Sequence, residues 1–256
     1  MKLSIVMPVY NEERTLAQIV ERVLATPYEK ELVLVNDASA DRSKEIMAEL
    51  AAKHAEIRCF HHDRNLGKGA ALATGFKQVT GDVVLIQDAD LEYDPADYGA
   101  LLRPILDGKA DVVYGSRFLG GAYVRVHLYW HYVGNRLLTL VSNMCTNLNL
   151  TDMETCYKVM KVGIARRLDI RSRTFAVEPE MTAKIAKLRA RVYEVPITYS
   201  GRDYAEGKKI GLKDAFIAVA AILRWSLFAG PPPPIEDGGP QRGLNARNPR
   251  EGLGPR

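Results

Sequence analysis

Apolar and polar positions along the chain fall into two alternating rhythms. Residues 3–9 (LSIVMPV) are a short apolar block, and beyond the polar turn Tyr10-Asn11-Glu12 the side chains Leu16, Ile19, Val20, Val23 and Leu24 recur at the spacing of one helix face. Residues 32–35 (LVLV) end at Asn36-Asp37 and precede a helix expected over 43–53. Residues 57–60 read as a third strand, followed by a glycine-rich turn at 65–69 and a helix running through Phe76. The block 83–86 (VVLI) ends in Gln87-Asp88-Ala89-Asp90, a helix is expected over 98–106, and residues 112–114 add a fifth strand before a helix-like stretch at 134–148. Strands with apolar residues at successive positions must be covered on both faces. The pattern therefore predicts an α/β fold, a single domain on a mostly parallel sheet with helices on both sides. His61-His62 closes what reads as an inner strand, lacks a partner at ligand spacing and is assigned a structural role.

The rhythm stops near residue 210. Residues 211–229 are expected as an apolar helix, but Arg224 interrupts its stretch 215–229, which is shorter than the roughly 20 residues needed to span a bilayer. Residues 230–256 are rich in Pro, Gly and Arg and offer little to bury, the composition of a disordered tail. At 256 residues, 47% apolar and 26% charged, the chain is sized for one core. A formal charge of +4 scattered along the chain argues against a nucleic-acid partner. Cys59, Cys145 and Cys156 show no metal-ligand spacing and are expected as reduced thiols of a cytoplasmic protein. The amino terminus has no long apolar core of a secretory leader and reads as the first strand.

Ligands of such sheets bind beyond the carboxyl ends of the strands, where Asn11-Glu12, Asn36-Asp37, Asp88-Ala89-Asp90 and Ser116-Arg117 are all expected. Asp88 and Asp90, at i and i+2 past a strand, can converge on a divalent ion that also grips a diphosphate, with Glu92 as a third oxygen ligand. Acidic residues also end strands simply to cap the next helix. Asp37 can accept hydrogen bonds from a nucleobase edge, while Ser39 or Asp41 caps the helix that follows. The turn Asn65-Leu66-Gly67-Lys68-Gly69 can aim backbone N–H groups and a cation at a phosphate or a carboxylate, without the spacing of a Walker loop. Arg117, Arg202, Lys208 and Lys209 are cations for a second anionic group or a leaving diphosphate. The run 123–132 (YVRVHLYWHY) reads either as a cover over an acceptor channel or lipid headgroup, or as a lid of packed aromatics.

Six pieces in order make the chain similar to glycosyltransferase family 2, and within it to the dolichyl-phosphate mannose synthase-like branch, over about residues 3–210. They are Pro8-Val9-Tyr10-Asn11-Glu12, Val35-Asn36-Asp37-Ala38-Ser39-Ala40-Asp41, the turn at 65–69, Asp88-Ala89-Asp90-Leu91, Gly115-Ser116-Arg117, and Glu194-Val195-Pro196-Ile197 followed by Arg202. The resemblance implies a Rossmann-like GT-A domain over residues 1–210 and an inverting transfer of a hexose from a UDP- or GDP-sugar. It implies that Pro8, Tyr10, Glu12 and Asp37 hold the nucleoside, with Lys68, Ala89 and Lys209 also at the donor. Asp88, Asp90 and Glu92 would place Mg²⁺ or Mn²⁺ on the diphosphate, and Arg117 and Arg202 would hold anionic oxygens of donor and acceptor.

The branch implies a polyprenyl phosphate acceptor, whose ionised oxygen needs no strong base. It also fits a peripheral contact with the inner membrane face through residues 215–228. Two motifs depart from it. Its Arg-x-x-Gly-x-Ser-Lys is replaced by the longer Arg202-Asp203-Tyr204-Ala205-Glu206-Gly207-Lys208-Lys209, and its Asp-x-x-Ser-Gly-Phe by Asp152-Met153-Glu154-Thr155-Cys156-Tyr157. Both fall where the acceptor should bind, which opens the alternative of a hydroxyl acceptor with Asp152 or Glu154 as base; Glu154 reads equally as a surface carboxylate. A nicotinamide enzyme is excluded because the first strand does not open into GxGxxG. A nucleotidyltransferase would need an early Gly- and Arg-rich loop, and a non-catalytic nucleotide-sugar-binding module has no use for the intact Asp88/Asp90 pair.

Overall fold

The computed structural model describes residues 1–120, 126, 128–174, 176–201 and 212–232. Its elements run β1 (Leu3–Val9), α1 (Leu16–Leu24), β2 (Lys30–Asn36), α2 (Ser43–Lys53), β3 (Ile57–His61), α3 (Lys68–Gln78), β4 (Val83–Ile86), α4 (Tyr98–Leu106) and β5 (Val112–Ser116). They continue with α5 (Tyr129–Thr146), β6 (Lys158–Lys161), the single turn α6 (Val162–Ala165), α7 (Val177–Lys187), β7 (Val192–Pro196) and α8 (Leu212–Leu223), which ends in a π-helical turn, Arg224–Phe228.

The strands form one sheet in the order β3-β2-β1-β4-β6-β5-β7. The pairs β1/β2, β1/β4, β2/β3 and β5/β7 are parallel, and β6 alone runs against its neighbours β4 and β5. The carboxyl ends of β1, β2, β4 and β5 therefore share one edge, as the four polar clusters required. The sheet is mostly parallel as expected, with β6 inserted antiparallel between β4 and β5. One expectation changes: β3 is an edge strand rather than an inner one.

Alternation along the strands divides the core in two. Leu3, Ile5, Met7 and Val9 of β1 pack with Leu32 and Leu34 against α1, α2 and α4. Val6, Val33, Val35, Val84 and Ile86 face the other side, where Ala71, Leu72 and Phe76 of α3 and Val177, Met181 and Ile185 of α7 cover them. The apolar helix α8 packs Ile222 into this second core, and Trp225 joins Ala176 and Ala183 at α7. Its opposite face is bare, with Phe216 76% and Phe228 81% exposed. No helix among the described residues is long and apolar enough to cross a membrane.

Candidate active site

The loops that leave β1 and β2 are stapled to each other. Asn11, held at φ 55°, donates its N–H to Ser39 Oγ at 3.0 Å and accepts from the Ala40 N–H at 2.8 Å. The Glu12 N–H donates to Ser43 Oγ and the Glu13 N–H to Asp41 Oδ2. Asp41 also accepts the Ser43 N–H at the start of α2, the capping role expected of Ser39 or Asp41, while Ser39 is used in the staple. An open cleft of about 550 Å³ runs along these loops, lined by Asn11, Glu12, Asp41, Asp90 and Gly201 among others. Tyr10, 48% exposed, stands at the end of β1, with half-buried Pro8 in the strand behind it. The Thr15 hydroxyl lies 2.8 Å from Glu12 Oε2 and 2.7 Å from the Ala89 carbonyl, tying two expected donor contacts together.

Asp37 is buried, and its carboxylate is engaged by its own chain. Oδ1 accepts the Leu66 N–H at 2.9 Å and lies 2.7 Å from His62 Nδ1; Oδ2 accepts the Gly67 N–H at 2.7 Å. His62 Nε2 in turn meets Thr74 Oγ1 at 2.9 Å, the structural role assigned to that histidine. The anion cradled by the 65–69 turn is thus Asp37 itself. The glycines of the turn serve close packing: a Cβ on Gly69 would sit 1.9 Å from the Ser172 carbonyl oxygen, and Gly67, at φ +89°, faces Arg173 just as closely.

Beyond β4, the buried Gln87 accepts the hydroxyls of Tyr98 and Tyr157 at 2.8 and 2.7 Å, fixing the strand end that carries the carboxylates. Asp88 pairs with Lys68, whose Nζ lies 2.9 Å from Oδ1. The same ammonium sits 2.6 Å from Cys156 Sγ and 3.7 Å from Glu178 Oε1. Burial pushes Lys68 down, but Asp88, with Cys156 and Glu178, outweighs it and holds the ammonium well above the usual lysine value. Asp90 accepts the Glu92 N–H at 3.1 Å while Leu91 turns through φ 64°. Glu92 accepts the Tyr199 hydroxyl at 2.7 Å. Among the described residues no three His, Cys, Asp or Glu side chains gather as a metal site. Asp88 and Asp90 offer two carboxylates, the number Mg²⁺ commonly takes from a protein when phosphates complete its shell, and Glu92 is turned to Tyr199.

At the end of β5, Arg117 and Asp152 form a two-pronged ion pair. Nε meets Oδ2 at 2.6 Å and Nη2 meets Oδ1 at 2.7 Å, and the Arg117 N–H adds a third bond to Oδ2. Asp152 is fully buried, so the structure corrects its reading as a base: its oxygens are spent on positioning Arg117. Glu194 holds the loop from below by accepting the Thr151 and Asp152 N–H groups. Glu154 is different. It is half-buried rather than a surface carboxylate, and its Oε1 is buried without a hydrogen-bond partner. Burial, reinforced by Glu178 and offset by Lys158 and Arg117, raises its carboxyl to about 7.

The structure thus brings Asp88, Asp90, Lys68, Arg117, Asp152 and Glu154 to one side of the sheet. Arg202, Lys208 and Lys209 lie outside the described residues, as do residues 123–125 and 127 of the aromatic run. Sequence reasoning missed Glu178 and Lys158, which pair with each other in the interior, and it missed Tyr199. Residue type gave no signal for Glu178, since α7 (VEPEMTAKIAK) buries Glu178, Glu180, Thr182 and Lys184 beside its apolar stripe of Val177, Met181 and Ile185, and nothing in the pattern marks those polar positions as buried.

Comparison with known proteins places these features in context. The model of glycosyl transferase family 2 matches residues 4–168. An undecaprenyl-phosphate mannosyltransferase of Micrococcus luteus is 30% identical over 241 residues, covering 90% of this chain and 96% of that protein. A dolichol-phosphate mannosyltransferase of Pyrococcus furiosus is 26% identical over 234 residues, covering 90% of this chain and 65% of the relative. Among solved structures, glucosyl-3-phosphoglycerate synthase from Mycobacterium tuberculosis, in complex with Mn²⁺, UDP and phosphoglyceric acid, superimposes with a TM-score of 0.67 at 16% identity, over 90% of this chain and 80% of that one. This likeness establishes the fold as GT-A-like.

Proposed function

The chain belongs to glycosyl transferase family 2 and is a glycosyltransferase, and from that premise we propose that it transfers a sugar, with inversion, from a nucleotide-sugar to a hydroxyl group of its acceptor, with Glu154 as general base. The observation that carries this reading is the Glu154 carboxylate, whose Oε1 is buried and unpartnered and whose protonation is poised at about 7. Such a group is matched to taking a proton at neutral pH. The acceptor oxygen attacks the anomeric carbon as its proton passes to Glu154. The bond from that carbon to the diphosphate breaks with its electron pair leaving on the nucleoside diphosphate.

The other residues position and neutralise. Tyr10 and the stapled loops around Asn11 and Glu12 form the wall against which the nucleoside rests, and Asp37 supports that wall through the 65–69 turn. Asp88 and Asp90 would hold Mg²⁺ or Mn²⁺, which when bound would screen the charge of the diphosphate. Arg117, fixed by Asp152, presents a cation to anionic oxygens at the end of β5.

A second reading, transfer to a polyprenyl phosphate, is favoured by the similarity to the lipid-phosphate mannosyltransferases and by the bare apolar faces of α5 and α8. Trp130, Met144, Phe216 and Phe228 are each more than 70% exposed there, which suits peripheral contact with a bilayer from the cytoplasm. The deciding experiment supplies labelled UDP- and GDP-sugars, with Mg²⁺ or Mn²⁺, to saccharide and hydroxy-acid acceptors on one hand and a short-chain polyprenyl phosphate on the other, with Asp90→Asn as control. Product on a hydroxyl acceptor, lost in the variant, is expected. Product on the lipid phosphate alone would replace the first reading by the second. If the bilayer contact holds, deleting residues 212–256 abolishes co-sedimentation with anionic vesicles; unchanged co-sedimentation would remove it.

A further inference from the structure

Asp88 is paired with a cation, and that cation has two carboxylates within reach. Lys68 Nζ lies 2.9 Å from Asp88 Oδ1 and 3.7 Å from Glu178 Oε1. Glu178 is 3% exposed, at the start of α7. Its Oε2 is taken by Lys158, whose Nζ is also held by the Met153 and Thr155 carbonyls. Its Oε1 has no hydrogen-bond partner. A buried carboxylate oxygen left without a donor is costly, so an acceptor is held ready next to a lysine that is spending its hydrogen bonds elsewhere. Shortening the Lys68–Glu178 contact by about 1 Å would bring it to hydrogen-bond length.

The geometry points to a cation handover: Lys68 occupies Asp88 in place of the divalent ion and passes to Glu178 when metal and donor arrive. This rests on the reading of Asp88 and Asp90 as the metal carboxylates and goes beyond it by assigning Lys68 and Glu178 as positioning residues that set when Asp88 is available. In the handed-over state Asp88 is free to ligate, the orphaned oxygen of Glu178 gains its donor, and the net charge of the buried strip is unchanged. Without donor, Lys68 competes with the ion, so metal binds weakly alone and more tightly together with nucleotide.

The test reads Mn²⁺ binding by electron paramagnetic resonance, on the full chain, with Mn²⁺ alone and with UDP or GDP added. Lys68→Met is expected to tighten binding of Mn²⁺ alone by about tenfold, the factor for a ligating state that is about a tenth of the population in the parent. Glu178→Gln is expected to weaken it, since Lys68 then has no anionic second acceptor. Simple charge effects predict those two signs as well, so the double variant decides. Under handover Glu178 acts only through Lys68, and Glu178→Gln adds nothing once Lys68 is Met; under charge effects alone the two changes add. Because Glu178→Gln removes the partner of Lys158, Glu178→Asp serves as the variant that keeps the charge, and it is expected to weaken Mn²⁺ binding because the shorter side chain withdraws from Lys68. Additive effects, or unchanged binding in Lys68→Met or Glu178→Asp, would overturn the handover and leave the metal site intact. A parent chain that binds no Mn²⁺ even with UDP and GDP would overturn the metal reading and the handover together.

Discussion

Replacing Glu154 by Gln isolates one ionisation and gives it two independent readouts. Folding raises this carboxyl from 4.5 to about 7. At about 1.4 kcal/mol per pH unit, that shift corresponds to about 3 kcal/mol. The sign follows from proton uptake. A carboxyl with a raised folded-state value binds its proton more tightly in the native chain, so the stability it contributes is fully present below pH 4.5. It is lost progressively as pH rises through about 7, where the native carboxyl must ionise in a poorly solvated place. The amide of the variant never ionises. Urea unfolding of both proteins from pH 4.5 to 8.5 should therefore show the variant gaining on the parent by about 3 kcal/mol across that range. Any packing or hydrogen-bonding cost of the amide is independent of pH and drops out of the comparison. The second readout is hydrolysis of the donor by water, which needs the same base and no knowledge of the acceptor. In the parent the rate should climb about tenfold per pH unit up to about 7 and then level. In the variant that limb should vanish and the plateau should fall by about two to four orders of magnitude. A stability difference that stays flat with pH, or a parent profile without a limb near neutrality, would refute the argument that burial tunes Glu154 for proton transfer.

Two further substitutions test the scaffold of the site. Asp152→Ala leaves the half-enclosed Arg117 guanidinium without its two-pronged partner and should cost about 3–5 kcal/mol; a loss below about 1 kcal/mol in urea unfolding would mean that the pair is not buried as described. Gly69→Ala would drive a Cβ to 1.9 Å from the Ser172 carbonyl oxygen and should destabilise by about 1–3 kcal/mol or more, so an unchanged unfolding midpoint would show that the turn does not press on the segment before α7.

The parts of the fold legible in the sequence were those with a clean period. α1, α2, β4 and α4 have apolar positions spaced for one buried face or a fully buried run, and each occupies the residues that its pattern marked out. β6 escaped notice because its four residues, KVMK, begin and end in lysine. Lys158 is nevertheless fully buried, which is possible only because Glu178 reaches it from α7, some 20 residues away in sequence. α7 escaped because its buried positions include two glutamates and a lysine: Glu178 is met by Lys158 of β6, while Glu180 and Lys184 pair with each other one turn apart and with the backbone of Asp169, Arg171 and Ser172. The site was legible as a set of strand-end clusters and illegible in its pairings. Asp37 looked free to meet a ligand because its partners, the Leu66 and Gly67 N–H groups, are backbone atoms that no residue-type pattern announces.

Pairing also explains which of the candidate carboxylates retains chemistry. Asp37 is spent on backbone donors, Asp152 on Arg117, Glu194 on the Thr151–Asp152 backbone, and Glu92 meets Tyr199. Asp88 faces a lysine that has an alternative acceptor beside it. Glu154 keeps a buried oxygen without a bond. A carboxylate whose oxygens are already taken by fixed donors has no lone pair aimed at an incoming proton. One that is buried and under-satisfied gains by taking a proton, which is the property a base requires. The same reasoning separates the two acceptor classes. A phosphate nucleophile arrives already ionised, would gain nothing from a base at Glu154, and would have to approach that carboxylate against like charge, whereas a hydroxyl acceptor would bring a proton for the base proposed at Glu154 to take.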